Sequence, residues 1–130
     1  MKQITLEWIS FAEDDLATAN RENKVENNTN YKAVSFHAQQ CGEKYLKAFL
    51  QEKGIKPERT HNLEVLLDKI LTFEPELGDL KESCIVLTDF AVDHRYPGTT
   101  TSAEDASDSL FHAGNIRKKI RKFYGLPPSK

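Results

Sequence analysis

The six residues from Asp93 to Gly98 read Asp-His-Arg-Tyr-Pro-Gly. An acid, an imidazole, a guanidinium and a phenol stand side by side before a Pro-Gly break. His94 is of the type that moves protons near neutral pH. Arg95 carries a planar fork that matches carboxylate and phosphate oxygens. These two are the candidate catalytic residues. Tyr96 precedes Pro97, so its backbone is driven out of the helical region, and its ring could stack on a ligand or wall a site. The competing reading is structural: Arg95 pairs with an acid such as Asp93 or Glu43, and Tyr96 packs over the end of a helix.

A second constellation lies on one helical face. His37, Gln40, Lys44 and Lys47 recur at spacings of three, four and three, which places them along a single stripe. An imidazole, an amide and two ammonium groups in a row suit a phosphate or a nucleotide. The plainer reading is a solvated face with Glu43 and Lys47 as an i,i+4 ion pair. His61, in Thr-His-Asn-Leu, falls at the first turn of another helix, where free N–H groups and the macrodipole attract anions. The candidate ligand-binding residues are therefore His37, Gln40, Lys44, Lys47, His61, Arg95 and Tyr96. A basic run, Arg117 to Lys122, has five cations in six residues. It complements the negative end of a helix and would also meet an acidic partner or RNA.

Other chemistries find no support. There is no glycine-rich phosphate loop, no nucleophile elbow and no HExxH, nor the Glu-x-x-His pairs of di-iron bundles. The four histidines, His37, His61, His94 and His112, are not at ligand spacing. Cys41 and Cys84 form no motif and read as small buried hydrophobes. No metal and no cofactor is expected.

The elements that position these residues are helices. The chain has 130 residues, 29% charged and 38% hydrophobic, which fits one globular domain over residues 1–130. A net charge of −2 argues against a dedicated duplex-DNA binder. The N-terminus lacks the apolar run of a signal peptide, and no stretch approaches the ~20 apolar residues of a membrane span. A reducing, cytoplasmic location without membrane attachment is expected. Five segments show the 3.6-residue period. The first runs from about Leu6 to Asn23, with Trp8, Ile9, Ala12, Leu16 and Ala19 inward and Glu13, Asp14 and Asp15 toward water. The second starts after Asn30 as N-cap and stops at Gly54; Val34, Ala38, Cys41, Tyr45 and Ala48 face the core. A short third, capped by Thr60, turns Leu63, Leu66, Leu67 and Ile70 inward. The fourth spans roughly Leu77 to His94, with Leu80, Cys84, Leu87 and Ala91 as its stripe. The fifth runs from about Ala103 to Phe123, with Leu110, Ala113, Ile116, Ile120 and Phe123 as its apolar face, and opens on a capping-box pattern at Ser102 and Asp105. Together they predict an all-α, up-and-down four-helix bundle with an additional short helix.

Three pieces in order, HAQQCGEKYLKAFLQEKGI (37–55), THNLEVLL (60–67) and DHRYPG (93–98), resemble the HEPN domain, named for higher eukaryotes and prokaryotes nucleotide-binding. The resemblance covers nearly the whole chain. It implies a helical bundle that often forms a homodimer, commonly paired with a minimal nucleotidyltransferase and resembling the helical domain of kanamycin nucleotidyltransferase. Many such pairs act as toxin–antitoxin modules, and other members are metal-independent ribonucleases. The ribonuclease signature is an Arg followed four to six residues later by a His. None of Arg21, Arg59, Arg95, Arg117 and Arg121 is followed by a His at that spacing. The resemblance therefore implies a nucleotide- or RNA-binding helper subunit rather than a catalyst on its own. The alternatives are an RNase that assembles His94 and Arg95 across a dimer, or a structural dimeric module.

Overall fold

The computed structural model describes residues 1–93 and 97–128. Among them are five α-helices: α1 (Gln3–Asn23), α2 (Tyr31–Glu52), α3 (Leu63–Leu71), α4 (Lys81–Asp93) and α5 (Ala103–Phe123), with a 3-10 turn over Pro75–Leu80 between α3 and α4. The helix ends follow local chemistry. Asn30 caps α2 by accepting from the Ala33 N–H at 3.0 Å, and Gly54, at φ +84°, lets the chain leave after it. Ser102 and Asp105 close a reciprocal capping box on α5. The cap of α3 differs from expectation: Asn62 takes the Glu64 and Val65 N–H groups, while Thr60 accepts from the Asn62 N–H. The expected fourth helix also divides. Pro75 starts a tighter 3-10 turn that carries Leu77 and Leu80 inward, and the α-helix proper starts only at Lys81.

Side-chain pairs give the helix directions. Thr5 reaches Glu52 and Asp15 reaches His37, so α1 and α2 are antiparallel. Asp79 meets Lys119 and Ser83 meets His112, so the α4 segment and α5 are antiparallel. Ser35 with Ser109 and Tyr45 with Arg121 make α2 and α5 parallel. The four long helices form the expected up-and-down bundle, with α3 inserted between α2 and α4.

The second helix is the axis of the molecule and packs on all four others. Val34, Ala38, Cys41, Tyr45 and Ala48 are completely buried. Leu63, Leu66, Leu67 and Ile70 of α3, and Ala113, Ile116 and Ile120 of α5, complete the core. Each fully buried Leu or Ile contributes about 1.5–3 kcal/mol relative to exposure. Trp8 and Leu16 pack at its edge, and Phe123 stays 42% exposed while its ring meets Phe49 edge-on.

Gly42, at the middle of α2, permits this crowding. A Cβ there would stand 3.0 Å from Leu87 Cδ1, 3.2 Å from Ile116 Cδ1 and 3.3 Å from Leu63 Cδ2, side chains of α4, α5 and α3. A mid-helix Gly costs about 1 kcal/mol against Ala, but overpacking costs about 1–3 kcal/mol. With three helices that must give at once, Gly42→Ala is expected to lower stability by about 1 kcal/mol despite its better helix propensity. Urea denaturation checks this: a variant as stable as the parent would mean the three side chains yield freely.

Candidate functional site

The polar stripe of α2 lies at a helix junction rather than on a solvated face. His37 Nδ1 is 2.8 Å from Asp15 Oδ1 of α1, and Lys44 Nζ is 2.5 Å from Asp15 Oδ2. One turn along, Glu43 is the hub of a second group. Its carboxylate, 4% exposed, accepts from Lys47 Nζ at 3.0 Å and sits 2.9 Å from His61 Nδ1. Gln39 Nε2 donates to it at 3.1 Å and also to the His61 carbonyl at 3.2 Å. Gln40 Nε2 donates to Gln39 Oε1 at 2.9 Å.

This arrangement fixes two imidazoles. An ionised carboxylate only accepts hydrogen bonds, so Nδ1 carries the proton in both His37 and His61. The opposite nitrogen, Nε2, bonds to none of the described residues. A ring held in one tautomer by a carboxylate is oriented for ligand binding or proton transfer. His61 is 55% exposed and stands before α3, where the N-terminal field adds to its pull on anions. The lysines are less free than the sequence suggested. Lys47 is 10% exposed at its side chain, with Nζ 5.7 Å from the Trp8 ring centroid, and Lys44 is committed to Asp15. The Glu43–Lys47 pair is present, yet enclosed rather than solvated.

The α1 acids correct the expectation that Glu13, Asp14 and Asp15 face water. Only Asp14 is exposed. Glu13 accepts from Tyr45 Oη at 2.6 Å and from Arg117 Nε and Nη2 at 2.7 and 3.0 Å. Burial pushes the Glu13 carboxyl up, but the Arg117 and Tyr45 hydrogen bonds and the charges of Arg117 and Arg121 outweigh it, leaving it below the usual range. Burial, then the bond to Glu13, raises the Tyr45 phenol. Acids facing inward were invisible to periodicity; the basic partner of Glu13 lies 104 residues along the chain.

The basic run divides in the same way. Arg121 Nη1 donates to Tyr45 at 3.1 Å, and Arg117 and Arg121 also donate to the carbonyls of Pro128 and Pro127, both at 2.6 Å. Lys118, Lys119 and Lys122 line an outer groove with Asp79. Cys41 and Cys84 are free and buried; burial pushes the Cys84 thiol up to about 12 and raises Cys41 further, so neither is a ready nucleophile. Sequence reasoning also missed Ser83, whose Oγ is 2.9 Å from His112 Nδ1 and accepts from Asn115 at 3.3 Å. It is buried and serves the α4–α5 contact. His94, Arg95 and Tyr96 lie outside the described residues, as does the side chain of Ala91. No group of three or more metal-ligating side chains occurs among the described residues, and no helix among them is long and apolar enough to cross a membrane.

A family model, the HEPN domain, matches residues 5–123. The chain belongs to the HEPN domain family. Two solved structures support the fold. An archaeal HEPN homologue, ST0689, is 27% identical over 95% of this chain and 98% of that one, with a TM-score of 0.71. TT1696 from Thermus thermophilus is 22% identical over 93% of this chain and 98% of that one, with a TM-score of 0.76, a likeness of fold. No curated protein matches the chain.

In this HEPN domain the Glu43 hub is a buried charge that stands only because it is paired. Glu43→Ala leaves the Lys47 ammonium enclosed without its carboxylate, an expected cost of about 3–5 kcal/mol. The double replacement Glu43→Leu with Lys47→Met removes both charges and is expected to recover most of that loss. Thermal and urea unfolding of the single and double variants test the pairing. Equal losses in the two would show that shape, not charge, holds the site.

Proposed function

We propose that this HEPN domain is the helper subunit of a minimal nucleotidyltransferase, in a toxin–antitoxin-type pair, and binds a nucleotide or an RNA-like anionic ligand. The observation that carries this reading is the pair of imidazoles held at Nδ1 by Asp15 and Glu43. Each turns a defined second nitrogen to the ligand: a hydrogen-bond acceptor when neutral, a charged donor when protonated. Gln40 adds an amide, and Lys44 sits close enough to its surface to shift from Asp15 toward a phosphate. Lys47 acts through Glu43 as a positioning residue. Arg95 and Tyr96 supply the guanidinium fork and the stacking ring.

Topology favours their convergence. The Leu63 N–H donates to Thr88 Oγ1 at 3.0 Å, so the start of α3 and the last turns of α4 share one end of the bundle. Residues 94–96 follow α4 directly. Homodimerisation, common in the family by resemblance, would bring two such ends into one cleft. The missing Arg-to-His spacing favours binding over catalysis.

Calorimetry and thermal-shift measurements with ATP, GTP and short RNAs test the reading, with and without the neighbouring nucleotidyltransferase. Saturable binding is expected, weakened about tenfold by His61→Ala or Arg95→Ala, a loss of about 1.4 kcal/mol. Silence at millimolar ligand in every combination would sink the ligand-binding reading. Growth arrest and RNA cleavage on expression, lost in Arg95→Ala, would establish a ribonuclease instead.

A further inference from the structure

At the opposite end of the bundle the ends of α2, α3 and α5 meet in an aromatic cluster. The Phe49 ring stacks with Phe73 at 6.1 Å between centroids and meets Phe123 edge-on at 5.0 Å. Tyr124 tilts against it at 5.3 Å. These rings line a cavity of about 130 Å³ whose other walls are Glu52, Lys53 and Glu74. That is well below the ~300–1,000 Å³ of sites that enclose a drug-sized ligand, but it suits a single charged head group.

The electrostatics select the sign of that group. The Glu74 carboxylate forms no ion pair or hydrogen bond with the described residues. Glu52 uses Oε1 for the Lys2 N–H and the Thr5 hydroxyl, which leaves Oε2 unbonded among them. Aromatic faces present negative charge to a cation. The cavity already tolerates one: Lys53 Nζ lies 5.4 Å from the Phe73 ring centroid, within the range of a cation–π contact. Two carboxylates and one lysine line the cavity, with Lys2 and the amino terminus acting on Glu52 from beyond the lining; the phenol of Tyr124 is raised first by burial and then by Glu52 and Glu74.

We infer that this aromatic, acid-rimmed cavity is a binding site for a small free alkylammonium ion, such as a polyamine arm or a quaternary ammonium, with the Lys53 side chain as its built-in competitor. The ligand's ammonium takes the position over Phe73 now held by Lys53, between Glu74 and the free oxygen of Glu52. Lys53 is exposed and swings out to solvent. The site is independent of the α2 histidines and of any nucleotide.

The test is titration of the full chain with spermidine and tetramethylammonium, followed by calorimetry and by the Tyr124 ring resonances. Saturable binding is expected, with Glu74→Gln and Phe73→Leu each weakening it about tenfold. Lys53→Met keeps the side-chain length and removes the competitor, so it should tighten binding about threefold. Circular dichroism and thermal unfolding confirm that each variant is folded. Three results would overturn the proposal. One is no saturable binding to either the parent or Lys53→Met. Another is equal binding of 3,3-dimethyl-1-butanol, a neutral shape mimic, which would make the cavity merely apolar. The third is a clear preference for Nα-acetyl-lysine methylamide over both free amines, which would point to a protein lysine as the occupant.

Discussion

Glu43 sits in the middle of α2, almost sealed from water. A carboxylate without partners in such a place would cost several kcal/mol. Its donors are Lys47 one turn on, Gln39 one turn back, and His61 from the start of α3. The first two come free with helical spacing. The third requires the chain to leave α2 at Gly54 and travel back along the bundle before α3 begins. The connection from residue 53 to residue 62, which looks wastefully long for a helix hairpin, is what returns His61 to Glu43. The place of α3, parallel to α2 and apart from the up-and-down pattern, follows from that return.

The same constraint recurs wherever α2 is covered. A helix that packs on four others exposes little of its length, so most of its polar side chains find partners inside the fold. Asp15 and Glu13 of α1 provide them for His37, Lys44 and Tyr45. Arg117 and Arg121 of α5 then neutralise Glu13 and cap Tyr45, and the carbonyls of Pro127 and Pro128 take the donors that remain. The α1 helix scarcely touches α5 through its backbone neighbourhood, and the Glu13–Arg117 pair is their main polar tie. Because the Glu13 carboxyl is held below its unfolded value, its contribution is complete above the usual carboxylate range. It is lost as pH falls through the lowered folded value. The bundle is thus joined by apolar packing in the centre and by matched charges around it.

Much of this was legible in the sequence. The five helices, the Asn30 and Ser102 caps, the Gly54 stop and the apolar stripes of α2, α3 and α5 follow from local rules, because capping and periodicity act within a few residues. What failed was long-range. Periodicity sorts a residue by polarity, so it sent Glu13 and Asp15 to water; nothing local to α1 reveals that Arg117 waits on α5. It treated the run from Arg117 to Lys122 as one patch, although Arg117 and Arg121, four apart, share a face that turns inward while the lysines between and after them do not. At α3 the sequence pointed to Thr60 as the cap, but the fold uses Asn62, nearer Leu63, and Thr60 instead accepts from the Asn62 N–H. At Pro75 the proline and Gly78 favour a tighter turn than the α-helix that the leucine spacing suggested. The aromatic cavity was unreadable, since Phe49, Phe73, Phe123 and Tyr124 meet only when three helix ends are brought together.

Charge balance decides which groups of the α2 cluster remain uncommitted. In the α2 cluster two carboxylates, Asp15 and Glu43, face two ammonium groups, Lys44 and Lys47. The four cancel, and the hydrogen bonds that hold them are already made. A phosphate approaching this face gains little from the lysines unless it displaces a carboxylate, which would strand a buried charge. The groups without a partner among the described residues are the outer nitrogens of His37 and His61 and the carbonyl oxygen of Gln40, whose amide nitrogen is held by Gln39. These are directional groups that discriminate by geometry more than by charge. Strong attraction for a polyanion must then come from a cation outside the cluster. The buried acids, Asp15 and Glu43, thus orient the imidazoles of His37 and His61 while holding the two lysines.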